Sequence, residues 1–236
     1  MRREILQILA GISTIAALGA VPAHGQRVDS VRPTGDTTRR TADTTRKPDT
    51  VRATDSTDDD EPKPTKPNLR ALGKVDGGIR LEADLSARTL TVMGPNGALR
   101  TFNVAIGTPS YPTPTGTYRI RKIVWNPSWV PPDSKWAKKH TAKGPGEKGN
   151  PMKVAKIFFR EPDYYIHGTA EVNSLGKAAS HGCLRMHPDE VAELAQFLME
   201  NGGQAREEGW FSRIIHLRWK THTVNLSQPV TITVSK

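Results

Sequence analysis

The chain has 236 residues and only one cysteine, Cys183. An intrachain disulfide is therefore excluded, and with it the small disulfide-stabilised scaffolds common among secreted proteins. Long apolar runs are equally scarce, because the only one lies near the N-terminus, and we expect the rest of the chain to be soluble. A lone cysteine is either a small buried apolar residue or a reactive thiol, and its neighbours must decide between the two.

The N-terminus has the organisation of a secretory signal. Two arginines precede an apolar run over residues 5–21, and Ala23 and Gly25 follow with the small side chains that signal peptidases accept. We therefore predict that residues 1–25 are a signal peptide and that the protein is exported to the periplasm or cell envelope. The alternative is a retained membrane anchor, although the run is short for a bilayer span.

Residues 26–67 consist largely of Thr, Asp, Arg and Pro and contain few apolar side chains. Such a segment cannot bury enough apolar surface to offset the entropy cost of ordering it. We predict a disordered tether that gives reach to a single domain formed by residues 68–236.

The charge of the chain is uneven. The net charge is +10, but Lys and Arg balance Asp and Glu within residues 26–67, so the excess lies mainly in residues 68–236. A basic exported domain would attract anionic cell-wall polymers or phospholipid headgroups, although the same charge also serves ordinary solubility. Export argues against nucleic acid as a partner, and we expect a monomer.

Short alternating runs separated by turn residues predict a mainly β domain. One helix is predicted, beginning at Pro188 and stopped by Gly202 and Gly203. Its apolar residues recur at helical spacing, at positions 191, 194, 195 and 198. The fold class we expect is a β-sandwich or barrel-like arrangement of mixed sheets with a packed helix. The predicted strands are residues 79–85, 89–93, 99–106, 117–125, 157–159, 164–167, 214–219, 223–226 and 230–234.

Two short motifs place imidazoles around the thiol. The run SHGCLR occupies residues 180–185, and HGT occupies residues 167–169 at the end of a predicted strand. A thiol becomes a strong nucleophile as its thiolate, and a nearby imidazole can lower its pKa well below about 8.5. Zinc binding is the alternative, because His181, Cys183, His187 and His167 would supply nitrogen and sulfur ligands.

The combination of motifs resembles the L,D-transpeptidase (YkuD-like) family. In addition to the two motifs above, PTPTGTY at residues 112–118 is similar to a turn and strand of that family. Asn150 and Pro151 occupy the place of a further family motif, although Met152 and Lys153 depart from its usual Leu-Gly. The resemblance runs from about residue 79 to at least residue 201 and implies an L,D-transpeptidase-type β fold.

The resemblance also implies residue roles. Cys183 would be the nucleophile and His167 the base, with the Gly168 carbonyl orienting the second ring nitrogen. Backbone amides around Gly182 and Cys183 would form the oxyanion hole.

Three further residues would complete the site. Arg185 would polarise it or bind a substrate carboxylate, although it could equally be a structural ion-pair partner. Ser180 and His181 would support the nucleophile loop. The implied substrate is the stem peptide of peptidoglycan, processed through a thioacyl-enzyme with no cofactor.

The sequence leaves the acyl acceptor open. An amine would give a cross-link between third-position residues or another attachment, and water would give an L,D-carboxypeptidase. A cell-wall-binding module without catalysis is a further alternative. The lysines within residues 125–148 predict positive charge beside the site.

Overall fold

The computed structural model describes residues 68–236. The predicted signal peptide and tether, residues 1–67, lie outside the described residues. Within residues 68–236 no helix has the length and apolar content needed to cross a membrane. The described strands are β1 (Arg80–Asp84), β2 (Thr89–Gly94), β3 (Gly97–Asn103), β4 (Ile106–Gly107), β5 (Gly116–Trp125), β6 (Lys153–Arg160), β7 (Tyr164–Gly168), β8 (Ala178–Ser180), β9 (Leu184–Met186) and β10 (His222–Ser235), with helices α1 (Pro188–Asn201) and α2 (Glu208–His216).

Eight of these strands form one mixed sheet, and β4 pairs with β8 separately. The order in the large sheet is β3-β2-β1-β10-β5-β6-β7-β9, with the pairs β1–β10 and β7–β9 parallel. Just after β3, Ala105 exchanges two backbone hydrogen bonds of 2.9 and 3.0 Å with Arg185 on β9. The two ends of the sheet therefore approach each other, and the predicted mainly β fold with a packed helix is confirmed.

Helix α1 supports the strands that lie beside the thiol. It begins at Pro188 as predicted, and its apolar stripe is fully buried, which includes Val191 and Leu198. The helix packs against β6 and β7. Burial of each such aliphatic side chain stabilises the fold by roughly 1.5 to 3 kcal/mol, so α1 holds these two strands firmly in place.

The strand predicted at residues 214–219 is wrong, because residues 208–216 form α2. The β-branched pair Ile214 and Ile215 suggested a strand. However, Phe211 and Ile214 are both buried, and Trp210 and Leu217 are half-buried beside them, which is the spacing of a helical stripe. Contact with the core decided the conformation over local propensity.

Further strand boundaries differ from prediction, and the strand predicted at residues 157–159 begins earlier, at Lys153. The strand predicted at residues 99–106 ends at Asn103, because the chain turns so that Ala105 can pair with Arg185. The strands predicted at residues 223–226 and 230–234 are one strand, β10, with a register shift between Asn225 and Val230 in its pairing with β5.

Candidate active site

Cys183 lies one residue before β9 and lines an open cleft of about 740 Å³. In the parallel pairing of β9 with β7, Leu184 is opposite Ile166, so Cys183 comes level with Tyr165. The thiol is partly exposed and donates a hydrogen bond of 3.3 Å to the backbone carbonyl of Asp163. Its position is thus set by the ladder of the sheet.

The turn that presents the thiol is closed by Ser180. The Ser180 hydroxyl donates to the Cys183 carbonyl at 2.6 Å and accepts from the Gly182 amide at 3.1 Å. Gly182 has φ +109°, and a Cβ there would lie 2.8 Å from the ring of Tyr164. Two oxyanion donors were predicted, the amides of Gly182 and Cys183. The Gly182 amide already donates to Ser180, so the Cys183 amide is the remaining candidate.

His167 is buried at the end of β7, with only 3% of its surface exposed. Its Nδ1 lies 2.9 Å from the Gly168 carbonyl oxygen, so Nδ1–H donates this bond and Nε2 carries the free lone pair. Burial, followed by the cations Arg185 and Lys156, lowers the pKa of His167 to about 3, although the Gly168 bond opposes this. At neutral pH the imidazole is therefore a neutral acceptor.

The resting thiol is also neutral. Burial raises the pKa of Cys183 to about 11, while the backbone amide and phenol of Tyr165 and the cations Lys156 and Arg185 lower it in part. The sequence pattern suggested a lowered thiol pKa, whereas in the structure the thiol pKa is raised. The pair at rest is a thiol and a neutral imidazole, and ionisation must accompany the reaction.

Arg185 lies on β9 in the same cleft and forms an ion pair with Glu171. Their Nη1 and Oε2 atoms are 2.5 Å apart, and the side chains are 17% and 72% exposed. The guanidinium therefore has a carboxylate partner, which corresponds to the ion-pair alternative from the sequence. Since Glu171 is exposed, the pair can open to a substrate carboxylate at modest cost.

The other two imidazoles near the thiol are engaged elsewhere. His181 is exposed and stacks on Trp136, with 3.9 Å between ring centroids. His187 caps α1, since its Nδ1 accepts from the Asp189 amide at 3.3 Å. In residues 68–236 no three His, Cys, Asp or Glu side chains are grouped to hold a metal ion. His181 and His187 therefore do not converge with Cys183 as the zinc alternative requires.

A sequence profile of the YkuD family, described as the L,D-transpeptidase catalytic domain, matches residues 78–227. This range covers well over half of the chain and contains every predicted site residue. The chain belongs to the L,D-transpeptidase catalytic domain family.

Individual relatives of this L,D-transpeptidase family member are distant. A Bacillus subtilis protein named "Putative L,D-transpeptidase YkuD" is 31% identical over 122 residues, which are 52% of this chain and 61% of that protein. YqjB of the same organism, with the same description, is 33% identical over 112 residues, which are 45% of this chain and 58% of YqjB. The chain thus spans about three fifths of the length of these relatives. An L,D-transpeptidase structure from Mycobacterium smegmatis has a TM-score of 0.45 at 20% identity and covers 67% of this chain and 59% of its own.

Opposite the strands of the L,D-transpeptidase domain, residues 129–150 form the second side of the cleft, which we call the loop wall. Its aromatic rings form a connected cluster. The Trp136 ring lies 6.5 Å from that of Trp129 and 6.1 Å from that of His140, and it stacks on His181 of the 180–183 turn. On its other side His181 meets Tyr111 at 4.8 Å. The loop wall therefore touches the segment that carries the thiol.

Asn150 holds the loop wall at its base. Its buried amide donates to the carbonyls of Pro127 and Gly144 at 2.9 and 2.8 Å, and its side-chain oxygen accepts from the Met152 amide at 2.8 Å. One side chain thus closes both ends of the loop. This gives a physical reason for asparagine at the family-like motif, even with Met152 following it.

The positive charge predicted beside the site lies on the exposed surface of the loop wall and not in the lining of the cleft. Lys135, Lys138, Lys139 and Lys148 are exposed, but they do not line the cleft, and Lys143 pairs with Glu147 at 2.7 Å. The residues that do line it include three carboxylates, Asp133, Asp163 and Glu171, with the cations Lys153 and Arg185. A count of lysines in the sequence could not show in which direction they project.

Sequence reasoning also missed residues around the thiol. Tyr165 is two residues before His167, so alternation along the strand could have placed both on one face. Glu171 and Lys156 carry no local signal, because only the fold brings them to Arg185 and Cys183.

The side of the cleft opposite the loop wall is formed by the strands β6, β7 and β9 with the 180–183 turn. We call it the sheet wall.

Proposed function

We propose that this chain is an exported L,D-transpeptidase that acts on peptidoglycan stem peptides through a thioacyl-enzyme on Cys183. Membership of the family supports the reaction class. The observation that carries the proposal is that a partly exposed Cys183 and a buried, neutral His167 line the same cleft, with the tautomer of His167 set by the Gly168 carbonyl. A module that only binds the cell wall would have no physical need for this arrangement.

The first half-reaction follows from the protonation states. His167 Nε2 takes the thiol proton as Sγ attacks the carbonyl carbon of the third stem residue, and the backbone amide of Cys183 stabilises the oxyanion. The tetrahedral intermediate then expels the terminal D-amino acid, whose amine receives the proton from His167. The product is a thioester on Cys183, and Gly168 keeps the imidazole oriented throughout.

The second half-reaction transfers the acyl group to an amine. The cleft lining holds three carboxylates against the two cations Lys153 and Arg185, and this small excess of negative charge would attract a protonated amine, which favours an acceptor stem over water. The bound ammonium first releases one proton to solvent; as the neutral amine attacks, His167 accepts a second proton from it and returns that proton to the departing Cys183 sulfur, so that an amide and the resting thiol result. L,D-carboxypeptidase activity is the second candidate, because the cleft is open and water can reach the thioester.

Product analysis tests these alternatives. The full-length protein is incubated with a disaccharide-tetrapeptide, with Cys183→Ala as the control, and the products are separated by mass spectrometry. Dimers joined between third-position residues, with release of D-alanine, would establish transpeptidation. Shortened monomers alone would establish the carboxypeptidase, and products identical to those of the control would refute both.

We also propose export, with residues 1–25 as the signal and residues 26–67 as a tether. A flexible chain of this length spans on the order of 30 to 40 Å, which provides reach and no chemistry. Intact mass measured after secretion should show a chain that begins at Gln26. Deletion of residues 26–67 should leave turnover of a soluble stem unchanged, and a large loss would contradict the proposed domain boundary.

A further inference from the structure

Lys156 lies in one row with two residues of the candidate site. In the sheet register Lys156 is opposite His167 on β7, and His167 is opposite Arg185 on β9. Residues directly opposite each other in a sheet point to the same face. Lys156, His167 and Arg185 therefore lie on the same face of three neighbouring strands, with His167 in the middle.

This placement depends on an irregularity in β6. The register with β7 shifts between Lys153 and Lys156, and between them Val154 has φ +63°. A β-branched residue rarely adopts this left-handed conformation, and bulges of this kind re-aim the side chains that follow. Strain of this type persists only where the surrounding structure holds it, and here it brings Lys156 level with His167.

A second row on the same face contains the thiol. Phe158 is opposite Tyr165, and Cys183 is two residues before Arg185, so it shares the face of Arg185. Lys156 is thus diagonal to Cys183 across β7. Tyr165 lies between the two, since its amide and phenol both act on the sulfur.

The ammonium group of Lys156 lies over the ring of Tyr165, which belongs to this second row. Lys156 Nζ lies 4.7 Å from the centroid of the Tyr165 ring and donates to the Ser128 carbonyl at 3.0 Å. Among the described residues no carboxylate forms an ion pair with Lys156, whereas Arg185 is paired with Glu171. The charge of Lys156 therefore reaches the thiol without a counter-ion that cancels it.

We propose that Lys156 is the fixed cation that stabilises the Cys183 thiolate as the proton passes to His167. This inference rests on Cys183 being the nucleophile of the proposed function. Of the two cations, Lys156 acts more strongly than Arg185 on the pKa of Cys183, whereas Arg185 acts more strongly on the pKa of His167. Lys156 is thus the cation with the larger effect on the sulfur, and Arg185 is the cation with the larger effect on the imidazole.

The groups that face the thiol are known for each surrounding element. Lys156 from β6, Tyr165 from β7 and Arg185 from β9 act on the thiol, and the Asp163 carbonyl from the turn before β7 accepts its hydrogen bond. The side chains of His167, Asp163 and His181 line the same cleft. Burial lowers the pKa of Lys156 itself, and the thiolate would raise it again, so the ammonium is most strongly held once the sulfur is charged.

Alkylation of the thiol tests the proposal without any substrate. Because the full-length protein has one cysteine, iodoacetamide consumption between pH 7 and 10 reports Cys183 alone. We expect Lys156→Met to slow alkylation about tenfold at any pH below the midpoint, which corresponds to a rise of about one unit in the thiol pKa. Lys156→Arg keeps the charge and should stay within about threefold of the wild type.

Lys122 provides the matched control. It lies on the same face one strand further away, opposite Phe158, and its charge is offset by an ion pair with Glu161. Lys122→Met should leave the alkylation profile unchanged. Circular dichroism checks folding, and Lys156→Gln repeats the test should the methionine variant be unstable. An unchanged profile in folded Lys156→Met or Lys156→Gln, or an equal shift in Lys122→Met, would overturn the proposal.

The outcome is separable from that of the proposed function. A shifted thiol pKa together with no turnover of a stem peptide would refute the function and leave the role of Lys156 intact. Normal turnover of a stem peptide together with an unshifted thiol pKa would support the function and refute the role of Lys156.

Discussion

The two walls of the cleft are held in place by different kinds of interaction. On the sheet wall, backbone ladders place Cys183 and His167, and neighbouring atoms leave no room for a Cβ at Gly168 or Gly182. The loop wall is instead held in place by side chains, through ring stacking at Trp136 and hydrogen bonds of the Asn150 amide. The first wall contains the groups that we propose react, and the second shapes the space in front of them.

The difference has a consequence for tolerance to mutation. Reacting atoms must be placed to within a fraction of an ångström, and a shift of about 1 Å can cost 100-fold in rate. A wall that mainly contacts substrate alters binding when it moves, with smaller effects. Variants of the sheet wall should therefore reduce turnover, and variants of the loop wall should chiefly weaken substrate binding.

The largest effect is expected for Gly168→Ala. The added Cβ would lie 2.4 Å from the Lys153 carbonyl oxygen and 3.0 Å from Val191 Cγ1, so β6 and β7 must separate beside His167. We expect kcat/KM for D-alanine release to fall about 100-fold, together with a lower Tm. Gly144→Ala on the loop wall is the control, because its Cβ would meet nothing closer than 3.6 Å. Equal rates for the two variants would contradict the contrast between the walls.

Asn150→Ala should have an intermediate effect. It removes three hydrogen bonds and leaves the carbonyls of Pro127 and Gly144 without this donor, which costs roughly 1 to 3 kcal/mol for each buried unsatisfied group. We expect about a tenfold loss in kcat/KM, mostly through KM, with alkylation of Cys183 within about twofold of the wild type. The exposed Asn173→Ala serves as the control. A selective loss of kcat would show that the loop wall also places the thiol.

Trp136→Ala should reduce turnover only a few-fold. Burial is the main cause that lowers the pKa of His181, with Arg185 and His140 adding to it, so loss of the stacked indole should raise that pKa toward its ordinary value. An NMR titration of His181 measures this shift directly. Trp219→Ala, which removes an indole that is 70% exposed, should leave it unchanged. An unshifted His181 in Trp136→Ala would mean that the stack does not desolvate the imidazole.

Stability against pH also distinguishes the two walls. The folded pKa of His167 is about 3, below the ordinary value of 6.5, so the unfolded chain binds this proton first as pH falls. The stabilisation from neutral His167 is thus complete above about pH 6.5 and is lost by roughly 1 kcal/mol per pH unit below it. Urea unfolding at pH 7 and pH 5 should show this slope reduced in His167→Gln. The exposed loop-wall variant His140→Gln should retain it, and equal slopes in all three proteins would contradict the burial of His167.

Much of the sheet wall was accessible from the sequence. The run at residues 180–185 is contiguous, so Ser180, Gly182, Cys183 and Arg185 had to be neighbours in any fold. His167 ends an alternating strand, and α1 follows from helical periodicity between Pro188 and Gly202, because both signals are local. Chemistry that depends on a few adjacent residues leaves a readable pattern.

The remaining features were decided by tertiary structure. Residues 214–216 became helical because packing against the core outweighed their β propensity, and none of the lysines of the loop lines the cleft, whose lining includes three carboxylates. Lys156 reached the thiol through a bulge whose effect depends on which strand lies beside β6. Pairing between strands distant in sequence sets these positions, and a charge acts through space on whatever the fold brings near it. The local sequence therefore determined which group we propose as the nucleophile, whereas only the register of the sheet decided which charges surround it.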